Sequence, residues 1–118
     1  MRHRSTKKTL DRKSGPRKAL LDTLCVSVIT HGYITTTFAR ARVLRPRVER
    51  LVTTAKKVNT LTARRQLLSK MRGNEKVVNQ LLTEIGPRYK DRQGGYMRII
   101  KMHKRQGDAA DLARIEFV

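Results

Sequence analysis

Arg40, Arg42, Arg45, Arg47 and Arg50 fall within eleven consecutive positions, and Glu49 is the one acid among them. A guanidinium is a planar fork of N–H donors that grips phosphate oxygens in two bonds and stacks on bases. Arginines at this density therefore point to a polyphosphate partner rather than to a solvated helix face, where Lys and Arg ordinarily alternate with Glu. The rest of the chain agrees. Lys and Arg make up 28 of 118 residues against nine Asp or Glu, for a net charge of +19 and an isoelectric point of about 11.4. The cations run through every segment, and so much like charge in one small body is repulsive unless an anion, foremost a nucleic acid, relieves it.

Other chemistry lacks its constellation. His3, His31 and His103 fall in unrelated segments with no ligand spacing, and the acids are scattered singly, so neither a metal site nor an acid/base pair is expected. Gly94-Gly95 is not followed by Lys-Ser/Thr and precedes a strand pattern, unlike a nucleotide-phosphate loop. Cys25 lies on an apolar stripe and reads as a small core residue; a lone thiol forms no internal disulfide, which fits a reducing compartment. No stretch approaches the roughly 20 apolar residues of a membrane span. No catalytic residue, cofactor or metal is expected, and the location implied is cytoplasmic.

These cations need elements to position them. Residues 1–13 carry Arg2, Arg4, Lys7, Lys8, Arg12 and Lys13 against Asp11, with Leu10 the only apolar residue after Met1; this is a basic arm, unable to fold alone. Ser14 as N-cap and Pro16 in the first turn open a helix with Leu20, Leu21, Leu24, Cys25, Val28 and Ile29 on one stripe, ended by Gly32. The β-branched run at 33–37 is a strand, and Thr36 or Thr37 caps a second helix. That helix turns Phe38, Ala41, Leu44, Val48, Leu51, Val52 and Ala55 inward, carries its arginines outward, and should kink at Pro46. Thr60 or Thr62 starts a third helix stopped by Gly73. Asn74 caps a fourth that Gly86-Pro87 terminates. A loop follows to Gly95, then a β-hairpin over 96–118. The fold expected is α/β: one small domain, 14–118, in the order helix, strand, three helices, two strands, with a small sheet packed by helices and the arm 1–13 ahead of it. Tyr89 and Tyr96 flank the glycine loop, where they either stack on unpaired bases or, for Tyr96, begin a strand and pack. Gly94 and Gly95 either admit a second backbone or take up positive φ.

Several short motifs then occur in one order: Met1-Arg2-His3, Leu10-x-Arg12-x-Ser14, Arg17, Ile34-Thr35-Thr36-Thr37, Ala63-Arg64-Arg65, Gly86-Pro87-Arg88-Tyr89, Gly94-Gly95-Tyr96-x-Arg98-Ile99, Gly107-Asp108 and the closing Ile115-Glu116-Phe117-Val118. In this order the chain resembles, nearly end to end, the bacterial-type large-subunit ribosomal protein L-seventeen family. It departs from the family's usual opening at Thr9 and Asp11, which remove or oppose positive charge. The resemblance implies an α/β protein without catalytic residues. It further implies binding to large-subunit ribosomal RNA near the polypeptide exit, contact with neighbouring ribosomal proteins, and location in the large subunit in the cytoplasm or its organellar equivalent.

The expected function is therefore a structural constituent of the large ribosomal subunit that binds its RNA through phosphates and stabilises the RNA fold. The candidate RNA-binding residues are Arg2, His3, Arg4, Lys7, Lys8, Arg12, Lys13 and Arg17 at the arm and helix start, and Arg64, Arg65, Arg88, Arg92, Tyr96 and Arg98 on the body. The rival is a DNA-compacting architectural protein, which usually needs a dimer seam that this chain does not offer. A small RNA-cleaving enzyme would need an acid/base pair or a metal cluster, and the chain supplies neither.

Overall fold

The computed structural model describes residues 3–57 and 61–118; Met1, Arg2 and Thr60, singled out above, lie outside the described residues. The three- and four-residue apolar spacing winds into helix α1, Ser14–His31, and buries Leu21, Cys25, Val28 and Ile29. The N-cap is Lys13 rather than Ser14, and it makes no side-chain capping bond. Pro16 then sits at the third helical position, where no intrahelical N–H is lost. Gly32 ends α1 at φ 82°, its N–H donating to the Val28 carbonyl at 2.8 Å. A side chain there would carry the strain of a left-handed backbone.

Strand β1, Tyr33–Thr37, leads directly into helix α2, Phe38–Lys56. Thr37 takes the N-cap position but its hydroxyl makes no capping bond. Helix α2 runs as one element past Pro46, whose ring is exposed. Its inward stripe is deeply buried: Ala41, Leu44, Val48 and Val52 have no exposed surface. It packs against α1, the sheet and the later helices, so it is the axis of the fold. Each fully buried Leu or Val contributes about 1.5–3 kcal/mol of burial, which is why this stripe fixes the register of everything around it.

Helix α3, Leu61–Lys70, ends in a turn where Arg72 at φ 54° and Gly73 at φ 76° are both left-handed, and the Gly73 N–H reaches back to the Leu68 carbonyl at 2.8 Å. Asn74 caps helix α4, Glu75–Gln80, its side chain accepting from the Val77 N–H at 3.3 Å. Gly86-Pro87 does not end this helix, contrary to expectation. The chain continues through a wide π-type turn, Leu81–Ile85, into a last helical turn, Gly86–Arg88, with Gly86 at right-handed φ −54°. Gly86 is small for another reason: a Cβ there would lie 2.9 Å from the Ala55 carbonyl oxygen and 3.0 Å from that of Leu81. The glycine lets this segment press on the α2 backbone. Pro87 sits near the start of that last turn, where its missing donor is harmless.

Strands β2, Met97–Lys104, and β3, Asp111–Phe117, form the hairpin. The sheet order is β1-β3-β2, antiparallel throughout, with Ile34 opposite Ile115 and Ile115 opposite Ile99, and a register irregularity between Lys101 and Lys104. Ala113, Ile115 and Met97 face the helices and are buried; Arg98 and Ile100 stand exposed. Among the described residues the architecture is mixed α/β: α1 and α2 pack on a small three-stranded antiparallel sheet, and α3 and α4 pack on those helices. Cys25 is buried in its core, and loss of solvation pushes its thiol pKa up to about 12.

Candidate nucleic-acid interface

On α2 the spacing that turns Leu44, Val48 and Leu51 inward presents Arg42, Val43, Pro46, Arg47 and Arg50 along a flank beside α1. There they form one wall of a groove of about 490 Å³, with Arg17 and Leu21 of α1 opposite and Thr6, Lys7 and Lys8 of the arm closing it. A second groove of about 300 Å³ adjoins it, sharing Arg47 and Arg50 and adding Lys18, Leu51, Ser69, Lys70 and Met71. No acidic residue lines either groove among the described residues. Eight cationic side chains thus converge on one trough, and a phosphate chain lying in it meets guanidinium and ammonium donors from several segments.

One carboxylate lies beneath. Asp22 of α1 is 7% exposed. Its Oδ1 accepts a hydrogen bond from Arg47 Nη2, and Arg72 Nε lies 3.0 Å from Oδ2, an ionic contact off the hydrogen-bonding direction.

The outer face of the sheet is built differently. Glu116 Oε1 accepts from Arg98 Nη2 at 2.9 Å and Nε at 3.2 Å, and Arg114 Nε lies 2.9 Å from Oε2. The Arg114 guanidinium lies 3.9 Å from the centroid of the Tyr33 ring. At the hairpin turn Arg105 pairs with Asp108 at 2.5 and 3.0 Å, and that bond holds the Asp108 carboxyl down to about 2.

The expected residues divide accordingly. His3, Arg4, Lys7, Lys8, Arg12 and Lys13 are exposed on the arm, and Lys7, Lys8 and Arg17 meet in the first groove. Arg64 donates to the Asn79 side chain at 2.7 Å, tying α3 to α4, while Arg65 is exposed. Arg88 and Arg92 are exposed beyond α4, and Arg98 is on the sheet with Glu116. Tyr96 is corrected: it is 2% exposed, and Tyr89 4%, so neither ring offers a face to a base. The two rings lie 5.2 Å apart, the Tyr96 hydroxyl bonds Lys56 Nζ at 2.9 Å, and the Tyr89 hydroxyl donates to the Val118 carbonyl at 2.8 Å. They staple the loop to the core. Gly94 at φ 77° and Gly95 at φ 61° take the positive-φ alternative.

Lys18, Arg42, Arg47, Arg50 and Lys70 line the grooves but are absent from the candidate residues drawn from the sequence. The signal for the middle three was the arginine run itself, read at helical spacing. Asp22 is not among the residues singled out from the sequence; an acid inside a buried stripe of a strongly cationic chain is the mark of a paired charge. Among the described residues no group of three His, Cys, Asp or Glu is placed to hold a metal, and no helix is long and apolar enough to cross a membrane.

Residues 20–118 match the profile of the family described as Ribosomal protein L17. Three relatives, each named Large ribosomal subunit protein bL17, align along the whole of this chain at 49% identity. That of Neorickettsia sennetsu is covered over 100% of its own length, that of Persephonella marina over 95%, and that of Orientia tsutsugamushi over 80%.

Proposed function

Because this chain belongs to the ribosomal protein L17 family, we propose that it is a structural, non-enzymatic constituent of the large ribosomal subunit that binds and braces large-subunit ribosomal RNA. The observation that carries this is the acid-free cationic trough between α1 and α2, roofed by the arm. Lys7, Lys8, Arg17, Lys18, Arg42, Arg47, Arg50 and Lys70 bind phosphates there, and the arm, residues 1–13, orders against the RNA while the domain 14–118 stays preformed. His3, Arg4, Arg12, Lys13, Arg65, Arg88 and Arg92 extend the contact over neighbouring RNA. Recognition is of backbone and shape: Tyr89 and Tyr96 are packed inside, and the exposed Tyr33 ring already carries the Arg114 guanidinium on one face. Neighbouring large-subunit proteins are its other partners, no cofactor takes part, and the cytoplasmic ribosome or its organellar equivalent is its place.

Binding to deproteinised bacterial large-subunit ribosomal RNA across a salt series tests this. About ten neutralised phosphates give a slope of log affinity against log salt of roughly −7 to −9. A slope near −2, or equal affinity for duplex DNA in competition, overturns it. A tagged copy should also sediment with large subunits through high salt; release at modest salt would overturn integral membership.

A further inference from the structure

Asp22 poses an electrostatic puzzle. A carboxylate beneath a phosphate-binding trough opposes the ligand, and burying it is expensive unless it is well paired. It stands in the apolar stripe of α1 between Leu21 and Cys25, and its partners come from two other places: Arg47 from the middle of α2, and Arg72 from the left-handed turn after α3. Three elements therefore meet on one side chain. Arg47 is the residue that, with Arg50, belongs to both grooves. Its guanidinium has five N–H donors, of which the bond to Asp22 uses one. Asp22 offsets the mutual repulsion of Arg47 and Arg72, and without it each long side chain regains rotamer freedom that RNA must then remove.

We propose that Asp22 is a positioning residue for RNA binding: braced by Arg72, it holds Arg47, which lines both grooves, so the protein binds RNA more tightly with this negative charge than without it. This rests on the trough being the phosphate-binding surface. The prediction has the opposite sign to simple charge counting, in which Asp22→Asn raises net charge by one and tightens binding.

The experiment measures affinity of the full chain for deproteinised bacterial large-subunit ribosomal RNA over a salt series. The chains compared are wild type, Asp22→Asn, Asp22→Glu and, as a charge-only control, Asp11→Asn. Loss of one phosphate contact makes Asp22→Asn about fivefold weaker at about 0.1 M salt, with a slope shallower by about one. Asp22→Glu recovers most of the affinity, and Asp11→Asn binds equally or more tightly. Asp22→Asn binding as tightly as wild type or tighter, at undiminished slope, overturns the proposal. Should Asp22→Asn alone fail to fold, Arg47→Ala is compared with Arg47→Ala/Asp22→Asn, which buries no unpaired acid against α2. Equal affinities support action through Arg47, and a further loss of about fivefold overturns it. A wild-type slope near −2 is a separate result, which removes the trough reading itself.

Discussion

The flank of α2 and the outer face of the sheet both display arginines, yet the two surfaces are electrostatically unlike. Residues 1–57 carry fifteen Lys or Arg against three acids, whereas residues 97–118 carry five against three. On the sheet, Glu116 takes Arg98 and Arg114 together, and Asp108 takes Arg105. In the trough Asp22 is buried below the cations, and among the described residues no carboxylate lines either groove. A phosphate approaching Arg98 or Arg114 meets the Glu116 carboxylate beside it, whereas the acid bonded to Arg47 is buried beneath and takes one of its five donors, so equal arginine content does not mean equal affinity for RNA. Where the acids lie separates a face of groove-lining cations from one whose cations are paired at the surface.

The sharpest way to break this contrast is charge reversal. Arg42→Glu with Arg50→Glu should weaken RNA binding about 100-fold or more at about 0.1 M salt, since two contacts are lost and two repulsions gained. Filter binding reads it, and a loss under about fivefold would place the contacts elsewhere. Removing residues 1–13 deletes six Lys or Arg and should make the salt slope shallower by about four, without unfolding the body. Gly86→Ala separates stability from binding. Its Cβ collides with the Ala55 carbonyl, so thermal unfolding should show about 1–3 kcal/mol of destabilisation, while the salt slope of the folded fraction stays that of wild type. Removing a whole pair from the hairpin, Arg105→Ala with Asp108→Ala, leaves net charge unchanged and should alter RNA affinity by less than about twofold, with little effect on stability. A loss matching that of the trough variants would erase the distinction between the faces. The smallest effect is at Asp108. Its folded pKa, about 2, lies below its ordinary 3.8, so its small contribution to stability is complete above that ordinary value and is lost as pH falls toward 2. Asp108→Asn should flatten the melting temperature between about pH 4 and pH 2 relative to wild type and change nothing at about pH 7.

Much of the fold was legible because local chemistry and tertiary packing agree. Gly32 had to end α1, the β-branched run had to extend, Asn74 had to cap α4, and the stripe on α2 had one buried side. The misreadings share a cause. Gly86-Pro87 has the composition of a helix stop, but the constraint on Gly86 is the backbone of α2 at Ala55, far earlier in the chain, which no local pattern reveals. Tyr96 looked like a stacking residue because it borders an Arg-rich loop; its burial depends on Lys56 and Tyr89 arriving from elsewhere. The candidate site was legible in kind, as a cationic surface, and less so in place. Helical spacing assigned the α2 arginines to the outside but could not say that α1 and the arm would fold beside them into a trough, nor that Glu116 would engage Arg98.

The solitary thiol of Cys25 has a use independent of RNA. Wholly enclosed and with its pKa pushed up to about 12, it is inert to a thiol-modifying reagent until α1 lifts from α2. The labelling rate is therefore a clock for that opening, and any ligand that holds the two helices together slows the clock by the factor 1 + [L]/Kd. The protein carries its own occupancy gauge, in a position where reading it disturbs none of the surface charges.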